Sequence, residues 1–387
     1  MQVTRLREIT DIGVNSIGDA ANALKNDNML RLENLDTDIR PPREAIVATR
    51  NALEDDDANS YLPFFGSDAL RKAVTQRICF ETGVNYDWND NCKISAGGLS
   101  GILNVLLAII EPGDEVIVTD PGYAGILNRI RLAGGVPKLV PLLVVDGGWR
   151  IDLEALKEAA GPKTAAVLTM SPSMPSGIVY NMLEWNTIAD VVNETDSWLI
   201  HDAAMQRIVF SGVKNIHPAG IPLLTEKTIM IGCVSKEYRM IGWRVGWVVG
   251  PKKIMNDIGI VSLSNVVCQV GIAMPGATAA LLAENDGVDD ATAIWQARRD
   301  RLMSQLSDLP VVRPDGGWSL LINTTSIGLT PSEASKLCME KAHIAATPMT
   351  GWGEGCHAGQ YLRFVYANES VERLGDVRER LRIAWRI

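Results

Sequence analysis

Apolar residues are spread unevenly along the chain. Between residues 93 and 250 they gather in short, β-branched runs: KISAGG, DEVIVTD, VPKLVPL, TAAVLTM, SWLIHD, KTIMIGCVS and RVGWVVG. Most of these runs are apolar almost throughout and lack strict alternation, as strands covered on both faces do. They predict an α/β protein with a mostly parallel seven-stranded sheet flanked by helices. Helical periodicity over Leu99 to Ile110 and Met182 to Asn193 supplies two of those helices, and Pro112-Gly113-Asp114 and Pro121-Gly122 mark turns. After about residue 285 the texture changes. NDGVDDATAIWQARRDRLMSQL reads as a long helix, WSLLINTT and YLRFVYA as strands, and SVERLGDVRERLRIAW as a closing helix, together a separate α+β unit. The segment before residue 45 has too few apolar residues for its own core and is expected to pack on that unit. The expected division is a large domain over 45–285 and a smaller one made of 1–44 plus 286–387.

Composition narrows the class. The chain has 387 residues, 47% apolar and 21% charged, enough to bury a sizeable core and without a disordered tract. Thirty-seven basic against 46 acidic residues leave a net charge of −9, which argues against nucleic acid or an anionic membrane as partner. MQVTRLREITDIG lacks the apolar core of a signal peptide, and no stretch approaches the roughly 18 uninterrupted apolar residues of a span, so a soluble, cytoplasmic protein is expected. Six cysteines without a C-x-x-C pair and four histidines without ligand spacing favour free thiols and no structural metal.

Three features fall at strand ends, where open α/β sheets bind ligands: Asp202 after SWLIH, Lys236 after IMIGCVS, and Gly97-Gly98 after KISA. A lysine there is by default a solvated one, because burying an unpaired ammonium is costly. In combination the three have a chemistry. A lysine amine can form a Schiff base with an aldehyde, an aspartate can keep a pyridine nitrogen protonated, and glycine amides at a helix start can bind phosphate. Those are the requirements of pyridoxal 5′-phosphate.

Ser235-Lys236 followed by Gly242-Trp243-Arg244-Val245-Gly246 is similar to the S-K-x(5)-G-W-R-x-G motif of the class I/II aminotransferase family, the aspartate aminotransferase-like branch of the fold type I pyridoxal-phosphate enzymes. The resemblance runs over nearly the whole chain. It implies that Lys236 forms the Schiff base and then shuttles a proton at the substrate Cα, that Arg244 clamps the cofactor phosphate, and that Ser235 adds a hydroxyl. It further implies that the amides of Gly98 and Leu99 cradle the phosphate, that Tyr123 stacks on the ring, that Asp202 pairs with the ring nitrogen, and that Arg363 in GQYLRFVYA grips the substrate carboxylate. Tyr61 in YLPFFGSDALRKAV resembles the tyrosine that crosses to the partner active site, which implies a homodimer. The substrates so implied are an α-amino acid and a 2-oxo acid.

Departures from the family pattern cluster at one edge of the cofactor. Its N-P-x-N-P-[ST]-G appears as Ser171-Pro172-Ser173-Met174-Pro175-Ser176-Gly177, and its D-x-x-Y as Asp202-Ala203-Ala204-Met205. Two hydrogen-bond donors to the phenolate oxygen have thus become thioethers, which should leave the Schiff base protonated to higher pH unless Gln206 or a water compensates. Cys233 stands where a phosphate-site hydroxyl is usual, and Leu35 replaces a glycine bordering the substrate carboxylate. Transamination is the expected reaction. The altered edge keeps open an alternative, carbanion chemistry such as elimination, replacement, retro-aldol cleavage or oxidation. Arg40, Trp318, Trp352 and Gln206 are candidates for the substrate side-chain pocket.

Overall fold

The computed structural model describes residue 3, residues 6–9 and residues 11–386. Its main sheet has eight strands: β1 (Cys92–Ser95), β2 (Glu115–Asp120), β3 (Val136–Val145), β4 (Gly148–Ile151), β5 (Thr164–Met170), β6 (Trp198–Asp202), β7 (Thr228–Cys233) and β8 (Gly246–Val249). They lie in the order β1-β8-β7-β6-β5-β2-β3-β4. The run β7, β6, β5, β2, β3 is parallel, whereas β8 runs antiparallel to both neighbours. All seven apolar runs of the sequence are strands. The eighth, β4, is a hairpin extension of β3, which runs three residues past VPKLVPL. Asp146 and Gly147 both take positive φ between them, as a two-residue hairpin turn requires.

Near-continuous apolarity in the central strands has the expected cause, burial on both faces. Val116, Val118, Leu168, Ile200 and Ile231 point to one side, where they pack on Ile102, Val105 and Leu106 of α1 (Gly98–Ile109). Their neighbours Ile117, Val167 and Leu199 point to the other, against Trp185, Ile188 and Val192 of α2 (Met182–Glu194). Each such side chain contributes roughly 1.5–3 kcal/mol when fully buried. A capping box starts α2: Asn181 Oδ1 accepts from Glu184 N at 3.0 Å and Glu184 Oε2 from Asn181 N at 2.7 Å. The other Glu184 oxygen accepts from Ile151 N at 2.9 Å and so ties β4 to the helix.

The C-terminal third forms a four-stranded antiparallel sheet from β9 (Val311–Val312), β10 (Ser319–Asn323), β11 (Thr347–Pro348) and β12 (Tyr361–Val365), in the order β9-β10-β12-β11. The long helix α3 (Val288–Gln305) and the closing helix α4 (Val377–Trp385) belong to the same third. The closing helix is shorter than its sequence pattern, because Arg373–Asp376 is a 3-10 turn. Leu30–Arg31 pairs in parallel with Ile344–Ala345, and Val365 N donates to Leu32 O at 2.8 Å. The stretch from 30 to 35 is therefore laid along this sheet and delivered to the ends of the main-sheet strands. No single helix among the described residues is long and apolar enough to cross a membrane.

Candidate active site

A cavity of about 350 Å³ opens where the parallel strands end, within the usual range for small-molecule sites, roughly 300–1,000 Å³. Asp202, the last residue of β6, and Lys236, three residues beyond β7, both line it. Their two strand ends are tied together, since the buried Glu237 carboxylate accepts from Arg207 N at 2.8 Å. Burial and the nearby Glu81 hold that carboxyl above its usual range.

The Lys236 amine is half-buried and donates to Leu35 O at 3.0 Å, with Nζ 5.0 Å from the Trp318 ring centre. Burial lowers its pKa to about 8; Cys233 and Asp36 oppose the shift, while Arg244 and Arg363 add to it. Burial acts on Asp202 in the opposite sense and raises its carboxyl to about 6, against a hydrogen bond from Ala204 N at 3.0 Å and the Lys236 charge. The two groups are each held away from their charged forms, a pattern that marks reactive sites.

Between β1 and α1 the chain builds an anion cradle. Gly97 N-caps α1 at φ 81°, a left-handed conformation suited to glycine, and the first-turn amides of Gly98 and Leu99 have no intrahelical acceptor. A Cβ on Gly97 would lie 2.6 Å from Arg244 Nη2, so the arginine folds directly over the cradle. Arg244 is itself at φ 55°, with Nη1 donating to Ile241 O at 2.9 Å. A non-glycine residue in that conformation costs about 1–3 kcal/mol and persists only where its surroundings enforce it.

The opposite wall is different in kind. Arg363, on β12, is 1% exposed, and burial lowers its pKa to about 10 against the influence of Tyr123 and Glu33. Its Nη2 donates to Glu33 O and, at 3.2 Å, to Thr347 Oγ1; Nη1 reaches only the Met174 sulfur, at 3.6 Å, and Nε has no partner. The guanidinium lies 4.7 Å from the Trp352 ring centre, and Trp352 packs at 5.5 Å against Tyr123. A buried guanidinium with two underused donors is prepared for a carboxylate.

Residues 28–381 match the family described as aminotransferase class I and II. The chain belongs to that family. An aspartate aminotransferase of Rhizobium meliloti (strain 1021) is 27% identical over 97% of this chain and 95% of its own length. A probable aspartate/prephenate aminotransferase of Aquifex aeolicus (strain VF5) is 30% identical over 84% and 83%. The structure of N-succinyldiaminopimelate aminotransferase from Mycobacterium tuberculosis superposes with a TM-score of 0.92 at 26% identity, covering 99% of this chain and all of that one. The protein is an aminotransferase with the fold type I architecture, and nothing among these relatives favours the elimination or retro-aldol alternative.

In this aminotransferase Gly98, Leu99, Tyr123, Met174, Asp202, Met205, Ser235, Lys236, Arg244, Arg363 and Leu35 all line the one cavity, with Cys233 and Trp352. Tyr61 does not; its side chain is 83% exposed. Gln206 faces away and pairs with His201 Nε2 at 2.9 Å, so it is no donor to the cavity. Trp318 lies beside the lysine, and exposed Arg40 is held to the neighbouring structure through its carbonyl, which accepts from Arg239 Nε. Asp11, Ile12, Asn34, Met170 and Ile241 line the cavity without having been singled out from the sequence. Most of them sit in irregular segments whose placement depends on long-range packing, such as Trp352 Nε1 donating to Ile12 O at 3.1 Å.

Proposed function

We propose that this aminotransferase holds pyridoxal 5′-phosphate in the 350 Å³ cavity and moves the amino group of an α-amino acid to a 2-oxo acid. One observation carries the reading: a half-buried amine, Lys236 Nζ, shares a cavity with a buried carboxyl on one side and an amide-and-arginine anion cradle on the other. The residues fit the group. Gly98, Leu99, Ser235 and Arg244 would hold its phosphate, Tyr123 would pack on its ring, and Asp202 would face the ring nitrogen. When bound, the cofactor supplies an electrophilic aldehyde and a protonated ring that accepts electrons released at the substrate Cα.

Each side chain then has a task that follows from its surroundings. Lowering Lys236 from 10.5 to about 8 raises its neutral fraction near pH 7 roughly several hundredfold, which makes the amine a nucleophile and then a base at the substrate Cα. Asp202, raised only to about 6, is mostly ionised near pH 7, so it would pair with the protonated ring nitrogen and keep that nitrogen charged. Arg363 would bind the substrate carboxylate through its underused Nη1, while Leu35, whose carbonyl accepts from Lys236, shapes the pocket beside it. We assign Tyr61 to the active site of a second copy in a homodimer. Its exposure supports this, as does that of Phe64, three residues on.

The test is a half-reaction. Holoenzyme mixed with individual amino acids and no oxo-acid acceptor should convert its cofactor to the amine form and release one 2-oxo acid per site, read by absorption and mass analysis. Borohydride treatment before substrate should leave a cofactor-sized mass on the peptide containing Lys236. Failure of every amino acid, or a label on another lysine, overturns the reading.

A further inference from the structure

Outside the cavity, the loop from 351 to 360 carries a chemistry that transamination does not use. Glu354, Cys356 and His357 offer a carboxylate, a thiol and an imidazole whose ligand atoms all lie within 4.8 Å of one another, with Cys356 Sγ 3.8 Å from Glu354 Oε2. We propose that these three side chains form a site for one divalent transition-metal ion of the zinc class, with water in a fourth position.

Geometry, ligand chemistry and anchoring each support it. At metal–ligand bonds of about 2.0–2.3 Å, tetrahedral ligand atoms stand roughly 3.3–3.6 Å apart. The trio closes on an ion with changes of about 1 Å, which the exposed Glu354 and Cys356 side chains make freely around a half-buried His357. A thiolate with an imidazole and one carboxylate favours zinc, cobalt or copper over magnesium or calcium, which take oxygen ligands. Binding releases the thiol proton to solvent and is tighter at higher pH.

The loop beneath the trio is fixed. Asp120, at the end of β2 and fully buried, accepts from Glu354 N at 2.8 Å and Ala358 N at 3.2 Å, so one carboxylate pins the backbone on both sides of Cys356 and His357. Gly353 makes this approach possible, since a Cβ there would sit 2.0 Å from Asp120 Oδ1. The same loop carries Trp352 against Tyr123 and Arg363, which puts the site on a wall of the catalytic cavity.

The experiment uses Co²⁺ on chelator-washed holoenzyme. One equivalent should produce the visible bands of tetrahedral cobalt, bleached stoichiometrically by Zn²⁺. Cys356→Ser should abolish the thiolate-to-cobalt charge transfer, and His357→Ala or Glu354→Gln should weaken Co²⁺ binding by roughly tenfold or more. Cys79→Ser, at a half-buried thiol elsewhere, should leave the spectrum unchanged. Glu354 and Cys356 are exposed, His357 is half-buried, and Asp120 holds only backbone, so the variants keep the fold, checked by unchanged transamination without added metal. Absence of the cobalt bands in the wild-type protein, or bands that persist in both Cys356→Ser and His357→Ala, overturns the site.

Discussion

At one end of the cavity Asp202, Ser235 and Lys236 hang from or just beyond adjacent central strands; at the other, Leu35, Met174, Met205 and Arg363 come from an extended stretch, two loops and the small sheet. The first group is placed by main-chain ladders that any sequence of this fold would share. The second is placed by side-chain packing, and there a thioether stands against Nη1 of a buried arginine. The contrast separates what the chemistry demands from what recognition can vary. Amine, carboxyl and anion cradle belong to the demanded half, whereas the methionines lie in the half that can vary.

The largest effect should come from the variable end. Arg363→Lys keeps a charge but loses the planar group that reaches Glu33 O and Thr347 Oγ1 through Nη2 and leaves Nη1 for substrate. A loss of about 3–4 kcal/mol in transition-state binding is expected, a fall of roughly 10²–10³ in kcat/KM for amino acids. Steady-state kinetics across an amino-acid panel decides it. A change below about tenfold would mean that the carboxylate is held elsewhere.

At the strand-end half, the function of Lys236 should be visible as instability. Its folded pKa, about 8, lies below the unfolded 10.5, so between those values the unfolded chain binds more protons and stability rises with pH. Below about pH 8 the cofactor-free chain bears the full penalty, about 3 kcal/mol at the ~1.4 kcal/mol that each tenfold in proton affinity represents. Cofactor-free Lys236→Met should therefore resist urea better than the wild-type chain at pH 7 and lose most of that advantage by pH 10. Equal midpoints at both pH values would show that the amine is not desolvated.

Gly97→Ala probes the cradle with a smaller effect. The new Cβ meets Arg244 Nη2 at 2.6 Å and sits at φ 81°, so the guanidinium must move and the backbone is strained by about 1 kcal/mol. Cofactor affinity should fall roughly tenfold with the fold retained, measured by titrating cofactor into the cofactor-free protein. Undiminished affinity would exclude this placement of Arg244 as a requirement.

The same division explains what could be read from the chain. The seven apolar runs are strands because burial on both faces leaves a local mark, and Lys236, Asp202 and Gly98 were legible because a strand end fixes where they go. Strand β4 was missed although Asp146-Gly147 signals its turn, since four residues, GWRI, carry little pattern of their own. Asn34, Ile12 and Ile241 left no signal, because their positions depend on contacts across hundreds of residues, such as Trp352 to Ile12. Gln206 was misplaced for a related reason. It lies four residues past Asp202 on an irregular turn, and only the fold shows that it turns to His201.

The smallest predicted effect tests whether the thioethers tune the cofactor. Met174 is 5% exposed and lines the cavity beside Arg363. A thioether accepts weakly and donates nothing, so it cannot stabilise an anionic oxygen on a bound ring. Met174→Asn supplies an amide donor of similar reach, and a hydrogen bond to a charged oxygen is worth about 1.5 kcal/mol or somewhat more. Stabilising the deprotonated form lowers the proton affinity of the bound cofactor, so the midpoint of its visible absorption change with pH should fall by about one pH unit. Transamination rates should move only a few-fold, because Lys236 and Asp202 stay in place. A midpoint that does not shift would place Met174 against Arg363 alone, and the thioether would then belong to carboxylate recognition.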